Sequence, residues 1–255
     1  MISGRNLALA AMLCCAPALA APSESAEEIA RKSRDRGALN LRDLSAEVRL
    51  TTVRGEKTKV QVLRTTAKEI GGRSHSLARF LSPPGVDGVT VLTIEGQGEE
   101  PDDISIYLPK LRRVRKVATS QRGQSFMDTD FNYADLAGTG AERKGVKRLA
   151  DAKVGDRDAF VLQSDVVGDS PYRRVTLYVD KESYVPLRVD YADQDGRPFK
   201  HYEALKLRTF NGRILAAESV MKNLQSGSET RMEILRIEEA TLGDEAFTER
   251  ALERG

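Results

Sequence analysis

The chain has 255 residues, 40 Lys and Arg against 38 Asp and Glu, a formal charge of +2, two histidines, two cysteines and no tryptophan. A charge so near balance argues against a nucleic-acid binder, which carries a pronounced basic excess. His75 and His201 stand apart in strand-like runs and both cysteines fall at Cys14 and Cys15, so a His/Cys metal cluster is excluded by composition.

Residues 1–20 read as an export signal: Arg5, an apolar run from Leu7, and Ala18-Leu19-Ala20 as a small-x-small cleavage site before Ala21. The run is too short, and too interrupted by Pro17, to span a bilayer. The residues before Cys14 and Cys15 lack the small side chains of a lipidation site. A cleavable signal implies an exported mature chain with no cysteine, so its stability must come from its core. No linker, repeat or low-complexity tract follows, and residues 21–255 are expected to form one domain.

Ser25 and Glu28 form a capping box, predicting a helix that runs to about Arg36 and stops at Gly37. Its apolar stripe of Ala26, Ile29 and Ala30 is thin, so the helix must lie against something larger. From Leu44 onward the dominant period is two. Ala46, Val48 and Leu50 alternate with Glu47 and Arg49. Val60 and Val62 follow a turn at Gly55. Val89 and Val91 share one face, with Thr90, Leu92 and Ile94 on the other. Val175, Leu177 and Val179 repeat the pattern, as do Leu187, Val189 and Tyr191, and then Met232 and Ile234. Asp193–Gly196, Asn211-Gly212 and Ser226-Gly227-Ser228 are hairpin turns, Asn-Gly being the strongest. About ten strands joined by short turns imply a meandering antiparallel sheet that twists and curls. Asp244 is expected to cap a final helix over 245–254.

The densest stretch is Ile106 to Leu136. Ile104–Leu108 alternates as a strand, Pro109-Lys110 suits a turn, and Arg112–Val117 returns. The basic run reads either as the charged edge of a hairpin or as a face for an anionic partner, with Arg112, Arg113 and Arg115 as the contact residues. Asp130 is predicted to cap a helix over 131–137 ending at Gly138. So short a helix must rest Phe131, Ala134 and Leu136 on the sheet, as a lid or plug crossing its concave side.

No Gly-x-Ser-x-Gly elbow, phosphate-cradling glycine loop or Ser/His/Asp arrangement is present. Asp193-x-Asp195-Gly196 and Asp128-x-Asp130 echo a calcium loop but lack its spacing and terminal glutamate, and read as turns and caps. The chain is therefore expected to be a non-enzyme, without metal or cofactor. With aromatic residues only 5% of the chain, a curled sheet under a few short helices is expected to enclose an apolar cavity. Such pockets hold roughly 300–1,000 Å³. Residues predicted to line it are Phe80, Val91, Ile106, Leu108, Phe126, Met127, Phe131, Tyr133 and Leu177.

Tyr107-Leu-Pro-Lys-Leu-Arg-Arg-Val-Arg-Lys116 followed by Ser125-Phe-Met-Asp-Thr-Asp130-Phe-x-Tyr-x-Asp-Leu136 resembles the outer-membrane lipoprotein-sorting (LolA-like) family. Leu81-Ser-Pro-Pro-Gly-Val-Asp-Gly88, Val185-Pro186-Leu187-Arg188 and Phe247-Thr-x-x-x-Leu252 agree with it. The resemblance covers residues 40 to 253. It implies a mainly β fold: a curled antiparallel sheet forming an incomplete barrel closed by a few short helices, with acyl chains inside. It implies a periplasmic carrier of lipid or lipoprotein, acting as a monomer between an inner-membrane exporter and an outer-membrane acceptor. The alternative is an accessory or sensor subunit of an exporter or envelope-stress system. The family's carriers hold the lid with an arginine, for which Arg79 is the residue in a comparable place.

Overall fold

The computed structural model describes residues 24–36, 41–96, 100, 102–136, 142–168 and 170–252. The export signal expected over residues 1–20 lies outside the described residues, as do Gly37, Ala137, Gly138 and the side chains of Ala134 and Leu136. Helix α1 (Ala26–Asp35) starts as the capping box predicts, with the Glu28 backbone N–H donating to Ser25 Oγ at 3.1 Å.

Six strands then form one meander: β1 (Leu44–Arg54), β2 (Lys57–Ile70), β3 (Arg73–Ser82), β4 (Thr90–Ile94), β5 (Asp103–Leu108) and β6 (Arg113–Lys116). A second meander follows: β7 (Glu142–Arg148), β8 (Ala152–Val154), β9 (Arg157–Val167), β10 (Arg174–Asp180), β11 (Pro186–Ala192), β12 (Pro198–Phe210), β13 (Arg213–Asn223) and β14 (Ser228–Glu239). The two join where β1 pairs with β14, from Leu44↔Glu239 to Val53↔Glu229. All 14 strands lie in one antiparallel sheet ordered β6-β5-β4-β3-β2-β1-β14-β13-β12-β11-β10-β9-β7, with β8 on β9. The sheet curls but does not close, because β6 and β7 stand at opposite ends of that order.

The expected turns are all present. Asn211 (φ 46°) and Gly212 (φ 74°) make the two-residue link between β12 and β13, the geometry that favours Asn-Gly. The strand count exceeds the predicted ten because β3, β7 and β9 do not alternate cleanly and β8, at three residues, is too short to show a period. In β9, Val161 and Leu162 are consecutive and both buried. The predicted final helix is split. Asp244–Ala246 is a single 3-10 turn, Phe247 leaves helical geometry, and α3 (Glu249–Leu252) restarts with Thr248 Oγ1 accepting from the Ala251 N–H.

The inner face of the sheet carries two clusters. One gathers Leu44, Ala46, Val48 and Leu50 of β1 with Leu63, Phe80, Val91, Ile106, Met232 and Ile234. The other gathers Leu162, Val175, Leu177, Val179 and Val189 beneath Ala26 and Ile29 of α1. That is the larger partner the thin stripe of α1 requires. On the outer face Leu92 is buried beneath Phe247 and Leu252, so the C-terminal segment straps the convex side of β3–β5.

Candidate functional site

The chain passes from edge strand β6 to the opposite edge β7 across the inner face. Residues 118–136 make the described part of that crossing. Phe126 and Phe131 are buried inside it, and Met127 and Tyr133 pack against the same cluster. Phe126 stacks on Phe80 at 5.5 Å between centroids and meets Tyr133 edge-on at 5.5 Å. Eight of the nine predicted lining residues thus come together: Phe80, Val91, Ile106, Leu108, Phe126, Met127, Phe131 and Tyr133. Leu177 does not join them. It lies beneath α1 on the other half of the sheet, because alternation fixes a residue's face and not its position along the sheet.

Among the described residues, Phe126 and Phe131 cover the inner wall where the hollow was expected. Cavities of about 420 and 490 Å³ lie on the outer face and at the rim. The inner wall is apolar, and residues 118–136 lie over it.

Polar contacts hold the plug. Asp130 is not a helix cap. Its carboxylate accepts from the hydroxyls of Ser228 and Thr230 of β14, and the Thr230 hydroxyl accepts from the Asp130 N–H at 2.9 Å. Helix α2 (Tyr133–Leu136) instead begins after Asn132, whose N–H donates to Asp135 Oδ2 at 2.8 Å. Lys200 of β12 points inward and donates to the Asp130 carbonyl and to Asn132 Oδ1, both at 2.7 Å. Asn132 Nδ2 donates to the Tyr172 hydroxyl at 2.9 Å, which in turn donates to Asp135 at 3.1 Å.

Burial pushes the Asp135 carboxyl above the ordinary range, opposed by Lys200. Burial likewise pushes Lys200 down, opposed by Asp135. Burial, with the Asp135 charge, raises Tyr172 well above its usual value and keeps it a donor. Charged groups in such a place stay only when paired and hydrogen-bonded.

At its tip the plug turns through Met127 (φ 51°) and Asp128 (φ 63°), both left-handed. There Lys59 of β2 donates to the Met127 carbonyl at 3.1 Å and pairs with Asp128 at 2.9 Å.

The sequence reading missed Lys200, Tyr172, Ser228 and Thr230. The available signal was Lys200 two residues before Tyr202, a lysine on the inward face of an alternating strand. Arg79 faces outward, between the inward Ala78 and Phe80 and among residues of the outer-face cavity, so it does not hold the plug. The calcium echo at Asp193 is a turn, with Asp193 Oδ1 accepting from the N–H groups of Asp195 and Arg197. The basic hairpin forms as predicted, closed by a 3-10 turn over Pro109–Leu111 and by Arg112 at φ 47°. Arg112, Arg113 and Arg115 are exposed, and Arg115 donates to Gln121 at 2.6 Å.

A family model described as that of an uncharacterized protein, DUF1329-like, matches residues 72–254. The chain belongs to that family. Among solved structures it is similar to an outer membrane lipoprotein-sorting protein domain from Vibrio parahaemolyticus, with a TM-score of 0.80 and 24% identity over 90% of this chain and 98% of that one. It is also similar to a DUF1329 family protein from Desulfovibrio piger (TM-score 0.78, 23% identity, 89% and 97% covered). A LolA superfamily protein from Nitrosomonas europaea gives a TM-score of 0.69 at 17% identity, with 90% and 100% covered. No curated protein matches the chain. The family therefore has the LolA-like fold: one large curled antiparallel sheet, left open, with a few short helices.

Proposed function

We propose that the protein is a periplasmic, non-catalytic carrier. Its inner face takes acyl chains of a lipid or lipoprotein when residues 118–136 withdraw, and passes them toward the outer membrane. The observation that carries this reading is the plug. Phe126 and Phe131 fill the inner face from a segment that belongs to neither meander and is anchored by polar groups. Withdrawal separates Lys200 from Asp135, and breaking a buried pair costs about 3–5 kcal/mol, which a ligand has to offset. Burying roughly ten methylenes on the exposed wall gains on the order of 8 kcal/mol at ~0.8 each, enough to compete with the plug. Export to the periplasm rests on residues 1–20 as a signal, followed by one domain. The carrier works as a monomer without cofactor. Hydrogen exchange with and without a bound fatty acid tests the plug: residues 118–136 lose protection on loading while β1 and β14 keep it. Unchanged protection throughout a saturated complex contradicts the reading.

A second reading rests on the edge hairpin. Arg112, Arg113 and Arg115 have no acidic partner among the described residues, and Leu111 between them and Pro109 is 63% exposed. Such a face suits docking of an accessory or sensor subunit on a membrane exporter or envelope-stress partner that presents acidic groups.

A further inference from the structure

The outer face holds a second hollow that the carrier reading does not use. Residues 240–252 cross the convex side of β2–β5. Lys68 pins them by pairing with Asp244 at 2.6 Å and donating to the Leu242 carbonyl. Glu249 pins them by accepting from the Ser105 hydroxyl at 2.8 Å. Phe247 and Leu252 are buried there. Between this strap and the far part of β2–β3 lies a cavity of about 420 Å³. Leu77, Leu242 and Leu252 line its strap side, and Leu81 continues the apolar wall beyond. Leu81 and Leu242 are 39% and 38% exposed.

Two arginines stand in the middle of that apolar wall. Arg64 and Arg79 face each other directly across β2 and β3. Like charges so opposed repel. Arg79 has no acidic partner among the described residues. The nearest carboxylate to Arg64, on Glu47, is 4.0 Å away, at the limit of an ion pair. Two adjacent guanidinium groups offer paired donors to a carboxylate or phosphate, and the leucines beside them offer cover for a short chain.

We propose that this hollow binds a single-chain amphiphile with an anionic head. The head lies on Arg64 and Arg79 and the chain runs beneath the strap along Leu77, Leu242 and Leu252. The volume falls within the range of small-ligand pockets, roughly 300–1,000 Å³, so one medium-length chain is the natural occupant. Arg79 then binds ligand on the outer face instead of holding a lid on the inner one.

The test is calorimetric titration of the full mature chain with laurate, lauroyl lysophosphatidate and dodecyltrimethylammonium, all below their micelle concentrations. The two anions distinguish a free fatty acid from a lysophospholipid as the preferred source. The site predicts that at least one anion binds and the cation does not. It predicts about tenfold weaker anion binding for each of Arg64→Gln and Arg79→Gln. Their melting temperatures stay unchanged, because both side chains are exposed. In a Phe131→Ala background, where the carrier reading expects added binding on the opposite face, the loss caused by Arg64→Gln and Arg79→Gln remains the same. Absence of anion binding, equal binding of the cation, or wild-type affinity in both arginine variants overturns the proposal. If binding responds to Phe131→Ala and to neither arginine, the ligand is on the inner face: the carrier reading stands and this one fails.

Discussion

Lys200 Nζ lies 3.5 Å from Asp135 Oδ2, with the two side chains 4% and 2% exposed. The pair joins β12 to the segment that crosses the inner face. The same lysine donates to the Asp130 carbonyl and to Asn132, so one side chain ties down both ends of a short stretch of plug.

Lys200→Met removes the cation and leaves two buried acceptors without a donor. The expected cost at neutral pH is about 3–5 kcal/mol, read from urea unfolding. The deficit has a predicted pH dependence. Burial already raises the Asp135 carboxyl, and losing Lys200 raises it further. A carboxyl whose folded pKa lies above its unfolded one favours the folded state below that pKa, and the benefit fades as pH rises through it. Acidification toward the ordinary carboxylate range therefore narrows the gap between variant and wild type. A gap independent of pH contradicts an ionised Asp135 in the variant.

Phe131→Ala empties part of the inner face. Truncating a buried phenylalanine costs about 3–5 kcal/mol, but here the side chain belongs to the plug. Loosening it removes part of the cost of opening, so a fluorescent fatty acid binds more tightly to the variant than to wild type. Equal affinity separates Phe131 from the site.

His75 packs against Phe247 with ring centroids 6.3 Å apart. Burial, helped by Arg73, pushes its pKa down, against weaker upward pulls from the Phe247 backbone and Asp244. A histidine with a lowered folded pKa binds fewer protons folded than unfolded near its ordinary value. Stability is thus lost as pH falls below that value. Thermal melts of His75→Phe should show a flatter slope than wild type between about pH 7 and 5.

Charge reversal of Arg112, Arg113 and Arg115 together should leave the melting temperature within a few degrees. All three are exposed, and the one described side-chain bond lost is Arg115 to Gln121; surface substitutions of this kind stay near ±0.5 kcal/mol each. Cross-linking to membrane partners in cells should fall. An unfolded triple variant assigns these arginines to the fold.

The fold was largely readable from local signals. Ser25 with Glu28 marked a helix start, Asn211-Gly212 marked a hairpin, and the alternation of Val175, Leu177 and Val179 marked a half-buried strand. Phe80, Phe126 and Phe131 were readable as interior residues. The polar anchor was not, because Lys200 and Asp135 meet only after the two meanders and the crossing segment are assembled. Asp130 before a short apolar run imitated a helix cap, and only β14 lying beneath it supplied Ser228 and Thr230. Whether the interior was open or filled depended on where residues 118–136 came to rest, which side-chain periodicity does not encode.

The central claim is that the inner face accepts an acyl chain in exchange for the plug. Extraction and mass spectrometry of lipid from protein purified from its own periplasm, beside Phe131→Ala prepared identically, tests it most directly. The account predicts acyl lipid bound near one per chain in the variant and a detectable fraction in wild type. Both proteins free of lipid, and both indifferent to added fatty acid, would contradict it.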